Sequence, residues 1–564
     1  MHWIDWCVVA AFCLVSLGLG AWYSRRASEG LESYFVSNRM LGWWLAGTSM
    51  AATTFSSDTP LLVTGMVRRR GVWGAWEIWA LAISTMLAVF VFARLWKRAG
   101  VVTEVEFVEL RYTGKSAAFL RGFKALYWGI FYNVFIMGSW PIMGLTKVLE
   151  VTTSWNKVGS ICFALGLTAI YSSLSGYWGV VLTDVFQFIW AMVGAFILAA
   201  YAVHAVGGLH NLVTQLAATD KLSILPPAAG ENIAASPFGW FLGLIFIQWW
   251  AWKNTDGGGI IVQRMVSCRD EKQAVLSTLW FNIAHYALRS WPWVITALAS
   301  LILIPELKDA ERAYPVLITQ LLPIGMRGVL VASFLAAFMS TIDTHLNWGS
   351  SYFVNDFYKR FVKKDASEHH YLSVARTVPV VLAAAAGVVA FYMNSLGAVF
   401  TLVLNFSAGI GPVYLLRWFW WRINPASEIT AMIASLPVLM MRHTVLKVAG
   451  LDGIFAAELL FMILGTAAFW LPATLLTQPV DHKHLAEFYS RTRPPGFWKP
   501  FLKKGGGIKD NWTPYLVQWL VGTVALLATT LGPIELLLLR WTEGLVLCGI
   551  ALVGWIYLIK QKWE

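Results

Sequence analysis

The sequence predicts an all-α integral membrane protein whose core is two blocks of five spans. Three observations predict it. The chain is 58% hydrophobic and only 13% charged, with a mean hydropathy of +0.61, whereas a soluble domain carries about 25% charged residues. Fifteen apolar spans, each able to cross about 30 Å of hydrocarbon, lie near 3–23, 41–66, 73–95, 120–149, 157–175, 178–205, 237–262, 274–304, 324–358, 371–393, 397–419, 427–443, 452–476, 513–532 and 535–559. Two of them, five spans apart, are interrupted in mid-membrane, the mark of an internally repeated core with a site at the bilayer midplane.

The first span has no basic stretch before it and is followed by Arg25 and Arg26. It therefore reads as a retained helix with its N-terminus outside, not as a cleaved signal. Alternate loops should then be cytoplasmic, and they hold Arg39, Arg94/Lys97/Arg98, Arg264/Arg269/Lys272, Lys359/Arg360/Lys363/Lys364, Arg417/Arg422, the 477–512 segment and Lys560/Lys562. The segment 206–236, with Asp220 and Glu231, falls outside. Arg68-Arg69-Arg70 is the exception: either it walls an external vestibule or the count fails there. The net charge of +12 is spread over these loops, which excludes a nucleic-acid surface. The five cysteines show no disulfide or zinc spacing, and the 32 tryptophans fit interfacial belts. The basic 477–512 segment, with Pro494, Pro495 and Gly505-Gly506-Gly507, reads as a surface tether.

The second span, GWWLAGTSMAATTFSSDTPLLVTG, turns polar at Thr53, Thr54, Ser56, Ser57, Asp58 and Thr59 and then meets Pro60. Proline removes a donor and disfavours helix in the residue before it. Backbone freed at membrane depth is tolerated where it lines a cavity or binds something; otherwise this is a kink healed by Ser and Thr side chains. The seventh span, IFIQWWAWKNTDGGGIIVQRM, breaks at Asp256 and Gly257-Gly258-Gly259. The two blocks run from about 41 to 205 and from about 237 to 419.

The stretch 328–364 reads as one long helix without proline. Ser340, Asp343 and Thr344 share a face and Thr341 flanks it. Hydroxyls and a carboxylate at membrane depth are hard oxygen ligands suited to an alkali cation. This helix lies opposite the first break, so the two could hold a cation between them. Asp184, in the sixth span, either joins Asp343 and Thr344 around a cation or proton or caps its helix. Glu77, Lys253, His285 and Arg289 are further intramembrane ionisable groups. Glu77 and Lys253 could pair with each other or contact solute.

Four stretches resemble the sodium/solute symporter family, whose members include sodium–proline, sodium–sugar, sodium–pantothenate and sodium–sialic acid symporters. They are YFVSNRMLGWWLAGTSMAATTFS (34–56), IIVQRMVSCRDEKQA (260–274), AAFMSTIDTHLNWGSSYFVNDFYKRF (336–361) and GIGPVYLLRWFWWRINPASEITAM (409–432). LTQPVDHKHLAEFYSRTRPPGFW (476–498) is similar to a linker in part of the family. The resemblance implies a LeuT-type five-plus-five inverted repeat working by alternating access. It implies a main sodium site of carbonyls at Ala52, Phe55 and Ala337 with the hydroxyls of Ser340 and Thr341. A further cation site would use Asp184, Ser340, Asp343 and Thr344, although Asp343 stands where serine or threonine is commoner. Candidate solute contacts are Thr54, Ser57, Asp58, Glu77, Lys253, Asn254 and His285. The sugar-binding pattern on the sixth core helix is absent from Ala251–Gly259.

The expected organisation is an extra N-terminal helix and loop (1–33), a first five-helix repeat (34–205), an external loop (206–236) and a second repeat (237–420). Two more helices (421–476), a cytoplasmic basic linker (477–512) and two C-terminal helices (513–564) follow. The expected activity is sodium-coupled import of a small organic solute across the cell membrane, with sodium as coupling ion, no organic cofactor and the C-terminus cytoplasmic. A non-transporting ligand sensor and a proton-coupled symporter of the same fold are the alternatives. No nucleophile elbow, metal-binding His pair or phosphate loop points to an enzyme.

Overall fold

The computed structural model describes residues 1–24, 39–174, 177–228, 232–501 and 511–561. Arg25, Arg26, Glu231, Gly505-Gly506-Gly507 and Lys562 lie outside the described residues. Helix α1 (Trp3–Ser24) precedes the first broken span, α2 (Trp43–Thr53) and α3 (Thr59–Arg70). Then come α4 (Val72–Ala99), α5 (Gly114–Thr153), α6 (Lys157–Leu174) and α7 (Tyr177–Ala205). The second broken span is α8 (Pro237–Ala251) and α9 (Gly258–Ser267), followed by α10 (Glu271–Leu303) and α11 (Met326–Val362). Next are α12 (Glu368–Tyr392), α13 (Leu396–Phe419), α14 (Pro425–Val448) and α15 (Phe455–Leu476). A short α16 (His482–Thr492) and the hairpin α17 (Thr513–Leu537) and α18 (Trp541–Ile559) end the chain. Twelve helices among the described residues are long and apolar enough to cross a membrane. The other three of the fifteen expected spans are α6 and the two interrupted ones, whose halves are each too short to cross alone.

Both breaks form where the sequence cannot keep a helix. The first helix ends at Thr53, and the Thr54 hydroxyl turns back to the carbonyls of Met50 and Ala51 (3.0 and 3.1 Å). The second helix starts at Thr59 with proline in its first turn, where a missing amide costs nothing. At the other break Trp252 is extended, and Gly257 and Gly258 take φ of +113° and +66°, values open to glycine at no steric cost. The ends of the two broken spans are stitched together. The Leu41 amide donates to the Ser267 carbonyl (3.0 Å), the Arg269 amide to Leu41 (3.2 Å), and the Trp43 amide to Gln273 Oε1 (2.9 Å).

Helix α11 is the central post. It packs against α1, α2, α7 and α12, and every residue from Leu330 to Tyr352 is buried. From Tyr352 it loosens into π-type turns.

Several basic residues read as loop charges lie inside the protein. Arg417 is fully buried in the last turn of α13, paired with Asp256 (2.6 Å) and Glu104 (3.1 Å). Beside it, Lys124 pairs with Glu428 at 2.9 Å. Arg264 lies in α9. The 477–512 segment is not a loose tether where it is described: Leu485, Phe488 and Trp498 are buried, and Trp498 Nε1 donates to the Trp418 carbonyl (2.9 Å). Its aromatic and leucine residues give it an apolar face that a surface linker lacks.

Arg68-Arg69-Arg70 is consumed locally. Arg68 donates to the Ser300 and Ile304 carbonyls (2.6 and 3.0 Å) at the C-terminus of α10, where a cation also suits the helix dipole. Arg70 pairs with Glu77, so Glu77 and Lys253 do not pair. The Arg69 carbonyl accepts from Lys221 (2.8 Å), which puts the triplet at the same end as the 206–236 segment, as a vestibule wall requires.

At that end Glu311 joins three elements. It accepts from Lys147 Nζ of α5 (2.6 Å) and from the Leu396 and Gly397 amides that open α13 (3.1 and 2.9 Å). Burial opposes its ionisation, but the lysine and the two amides outweigh it and hold the carboxyl below the usual range. A depressed carboxylate adds stability above its unfolded pKa, and that stability is lost as pH falls through the folded value. Glu311→Gln should lower the melting temperature at pH 7 by an amount equivalent to about 1–3 kcal/mol and flatten the acid side of the stability profile. A variant with the wild-type acid profile would show that this junction carries no charge-dependent stability.

Candidate solute and cation site

The two breaks face one cavity of about 270 Å³, near the lower end of the ~300–1,000 Å³ range of small-molecule sites. From the first break, Thr53, Thr54, Ser56, Asp58 and Thr59 line it; from the second, Trp252, Lys253, Asn254 and the three glycines. Helices α4, α5, α10, α11 and α13 complete the wall with Thr85, Tyr132, His285, Arg289, Thr341 and Phe400 among others. Gly144 lets α5 approach: a Cβ there would stand 2.6 Å from the Asp58 backbone.

Of the expected solute contacts, Thr54, Asp58, Lys253, Asn254 and His285 share this wall. Ser57 and Glu77 do not. Ser57 donates to the Pro141 carbonyl (2.7 Å), and Glu77 is held by Arg70. Thr54 Oγ1 meets His285 Nδ1 at 2.9 Å. Lys253 Nζ donates to Asn254 Oδ1 (2.8 Å) and stands over the rings of Tyr132 and Trp128, 4.4 and 4.6 Å from their centroids.

Arg289 was visible as an ionisable residue but not as part of the wall. It lies one turn beyond His285, donates from Nε to the His285 carbonyl (3.0 Å) and from Nη1 to the Ala51 carbonyl (3.3 Å), and contacts the His285 ring. The i,i+4 spacing from His285 in an apolar span was the signal for it.

Of the residues expected around a main sodium ion, Thr341 is placed directly against the first break. Thr341 Oγ1 donates to the Thr53 carbonyl (2.8 Å), pinning α11 to the end of α2. Ala52, Phe55, Ala337, Ser340 and Thr341 are all buried. The buried Ser340 hydroxyl stands beside the Asp184 carboxylate. A set of hard oxygens, carbonyl and hydroxyl, is of the chemistry that suits a sodium ion.

Two of the second set, Asp184 and Thr344, meet at a guanidinium. Arg264 is wholly buried. Its Nη2 donates to Thr344 Oγ1 (2.7 Å) and Thr53 Oγ1 (3.1 Å), its Nε donates to Ser49 Oγ (3.2 Å), and Nη2 lies 3.7 Å from Asp184 Oδ2. Ser49 Oγ donates to the same Asp184 oxygen (2.5 Å). Asp343 is buried one turn beyond Ser340. Asp184 is thus a partner of α2 and α9 and not a cap of its own helix. The run IIVQRM, apolar around a single arginine, was the trace of this in the sequence.

The model of the sodium:solute symporter family matches residues 34–435. The sodium/glucose cotransporter of Vibrio parahaemolyticus is 26% identical over 504 residues, covering 83% of this chain and 89% of that protein. The sodium/myo-inositol cotransporter of Bos taurus is 24% identical over 580 residues, covering 90% and 77%. A solved Na+-coupled sialic acid symporter, substrate-bound and outward-open, superposes with a TM-score of 0.65 at 20% identity over 85% of this chain and 99% of its own. The chain belongs to the sodium:solute symporter family. It has the LeuT-like fold and is a multi-pass membrane transporter, not an enzyme, coupling sodium to a small solute.

Removing one partner of a buried ion pair typically costs about 3–5 kcal/mol, because the other charge is stranded. Asp184→Asn and Arg264→Gln should each destabilise the purified protein on that scale. The double variant should be more stable than the sum of the two losses predicts. Additive losses in thermal melting would show that the two groups are not coupled.

Proposed function

We propose that this protein imports a small organic solute by alternating access, driven by one sodium ion bound at Ala52, Phe55, Ala337, Ser340 and Thr341. The observation that carries this reading is the helix break that Thr341 holds against α11, with the buried Ser340 hydroxyl next to it in sequence and beside the Asp184 carboxylate. Across about 100 mV one charge gains roughly 2.3 kcal/mol, and a tenfold gradient adds about 1.4 kcal/mol. A single sodium therefore supports roughly several-hundred-fold accumulation.

Arg264 favours one ion over two. Its guanidinium already supplies a positive charge to Asp184 and donates to Thr344, both of which a second cation would need. The same charge balance favours sodium over a proton as the driving ion. Orientation in the cell membrane follows the charge pattern: N-terminus outside, C-terminus in the cytoplasm. The repeats run over 34–205 and 237–420. The sensor alternative gains no specific support from the site.

Uptake into proteoliposomes under a sodium gradient tests the reading. Ser340→Ala should raise the sodium concentration for half-maximal uptake about tenfold, equivalent to about 1.4 kcal/mol, and the Hill coefficient of the wild type should be close to one. An unchanged sodium dependence in the variant would remove Ser340 from the site. A wild-type coefficient near two would show that Arg264 does not replace a second ion.

A further inference from the structure

Helix α13 begins at the Glu311 junction and ends on the other side of the membrane at Phe419. At that far end a segment from outside both repeats, α16 with residues 493–501, lies across them. Its sequence sets its shape. The Asp481 carboxylate accepts from the His484 amide (2.9 Å) and starts the helix. Leu485, Phe488 and Thr492 recur at three- and four-residue spacing and are all buried. The helix stops at Arg493, in a left-handed conformation (φ +47°) before Pro494-Pro495. Gly496 follows with φ +104°, and a Cβ there would run into the Phe419 carbonyl.

This segment holds one repeat to the other. On the second repeat, the Phe497 amide donates to the Phe419 carbonyl (2.6 Å) and Trp498 Nε1 to the Trp418 carbonyl (2.9 Å), at the last turn of α13. On the first, Arg491 Nε donates to the Arg98 carbonyl in the last turn of α4 (3.2 Å). Phe488 meets Phe107 edge-on, 5.7 Å between ring centroids, and the Arg111 guanidinium stands over Phe488 and Trp498 at 5.2 and 4.9 Å. Trp418 carries the contact inward: its Nε1 donates to Asp256 Oδ2 (3.2 Å) in the second break.

The end of α4 belongs with the parts that carry the breaks. Arg98 pairs with Glu271 (3.0 Å), and Lys97 Nζ donates to the Val266 carbonyl (3.2 Å). Helix α4 is thereby tied to the end of α9, which is itself stitched to Leu41 at the start of α2. For the cavity to open at this end, α2 and α9 must swing away as a body, and α4 goes with them. The segment cannot then keep hold of both Arg98 and Phe419.

We infer that 482–501 is a latch. Docked across α4 and α13, it holds this end of the transporter shut, and it releases one of them each time the cavity opens here. This rests on the symport reading above and adds what stops a protein loaded with sodium alone from discharging its ion. A sodium ion that keeps α2 on α11 also keeps the latch docked. A static brace would make the same contacts but would contribute stability only, with no dependence on sodium.

The test takes the full-length chain with sodium as the only ligand. Amide hydrogen exchange and melting are followed in nanodiscs, in sodium and in potassium. Influx of radioactive sodium into proteoliposomes is followed without solute. Arg491→Ala removes the hold on α4, and Gly496→Ala displaces the segment from α13. Both residues are exposed and stand outside the cavity wall, so both variants should keep the wild-type shift of melting temperature by sodium. In the wild type, the amides of 482–501 should exchange about tenfold faster in potassium than in sodium. Each variant should raise solute-free sodium influx about tenfold. Wild-type influx in both variants would overturn the latch and leave symport standing. So would exchange of 482–501 that ignores sodium while the melting temperature responds to it. A wild-type melting temperature indifferent to sodium would overturn both.

Discussion

A backbone that stops being helical inside a bilayer must hand its amides and carbonyls to some other partner, and most of this core is arranged around that need. It arises twice, at Thr54–Asp58 and at Trp252–Gly257. At each break the neighbours are brought unusually close. Gly144 admits the Asp58 backbone to α5, Thr341 reaches the Thr53 carbonyl, and Arg289 reaches the Ala51 carbonyl. The Asp256 carbonyl takes the Trp96 indole proton at 2.8 Å. The breaks are therefore fixed points that α4, α5, α10 and α11 have been drawn in to satisfy. The cavity is the space left between them.

The same economy governs charge. Arginines inside the protein sit where several acceptors converge: Arg68 on the last turn of α10, Arg417 between Asp256 and Glu104, Arg264 on Asp184, Ser49, Thr53 and Thr344. Arginine suits these positions because its planar fork reaches acceptors on different helices at once. Each is a cross-link between segments far apart in sequence. Lys253 and Arg289 differ in place, since both line the cavity wall.

Much of this was legible in the sequence because it depends on local chemistry. Pro60 after a polar run and three consecutive glycines announce breaks whatever surrounds them, and their five-span separation announces the repeat. The Ser340–Thr344 face follows from helical periodicity alone. What was not legible depends on where a chain turns back into the protein. Arg264 and Arg417 stand near span ends, where a charge count assigns them to loops. Only the packing of α9 beside α2 and of α13 beside α4 and α8 puts their side chains in the interior. Ser57 and Glu77 failed in the opposite direction. Ser57 sits in the break itself, where the lost helical periodicity turns it to α5, and Glu77, on α4, is turned to Arg70 at the end of α3.

The arrangement also bears on how ion and solute can be coupled. A ligand shifts a conformational equilibrium only by its difference in affinity between the states. The proposed sodium position takes carbonyls from the end of α2 and hydroxyls from α11, so it is complete only while those helices touch. They touch through Thr53, which also meets Arg264 of α9 and lines the solute cavity. A sodium ion there favours the state in which α2, α9 and α11 are closed on one another, which is also the state in which Thr53, Thr54 and Thr341 are set in the cavity wall. Ion and solute need not touch for each to strengthen the other. It is sufficient that both require the same contact between two helices, and Arg264 makes that contact a three-helix one.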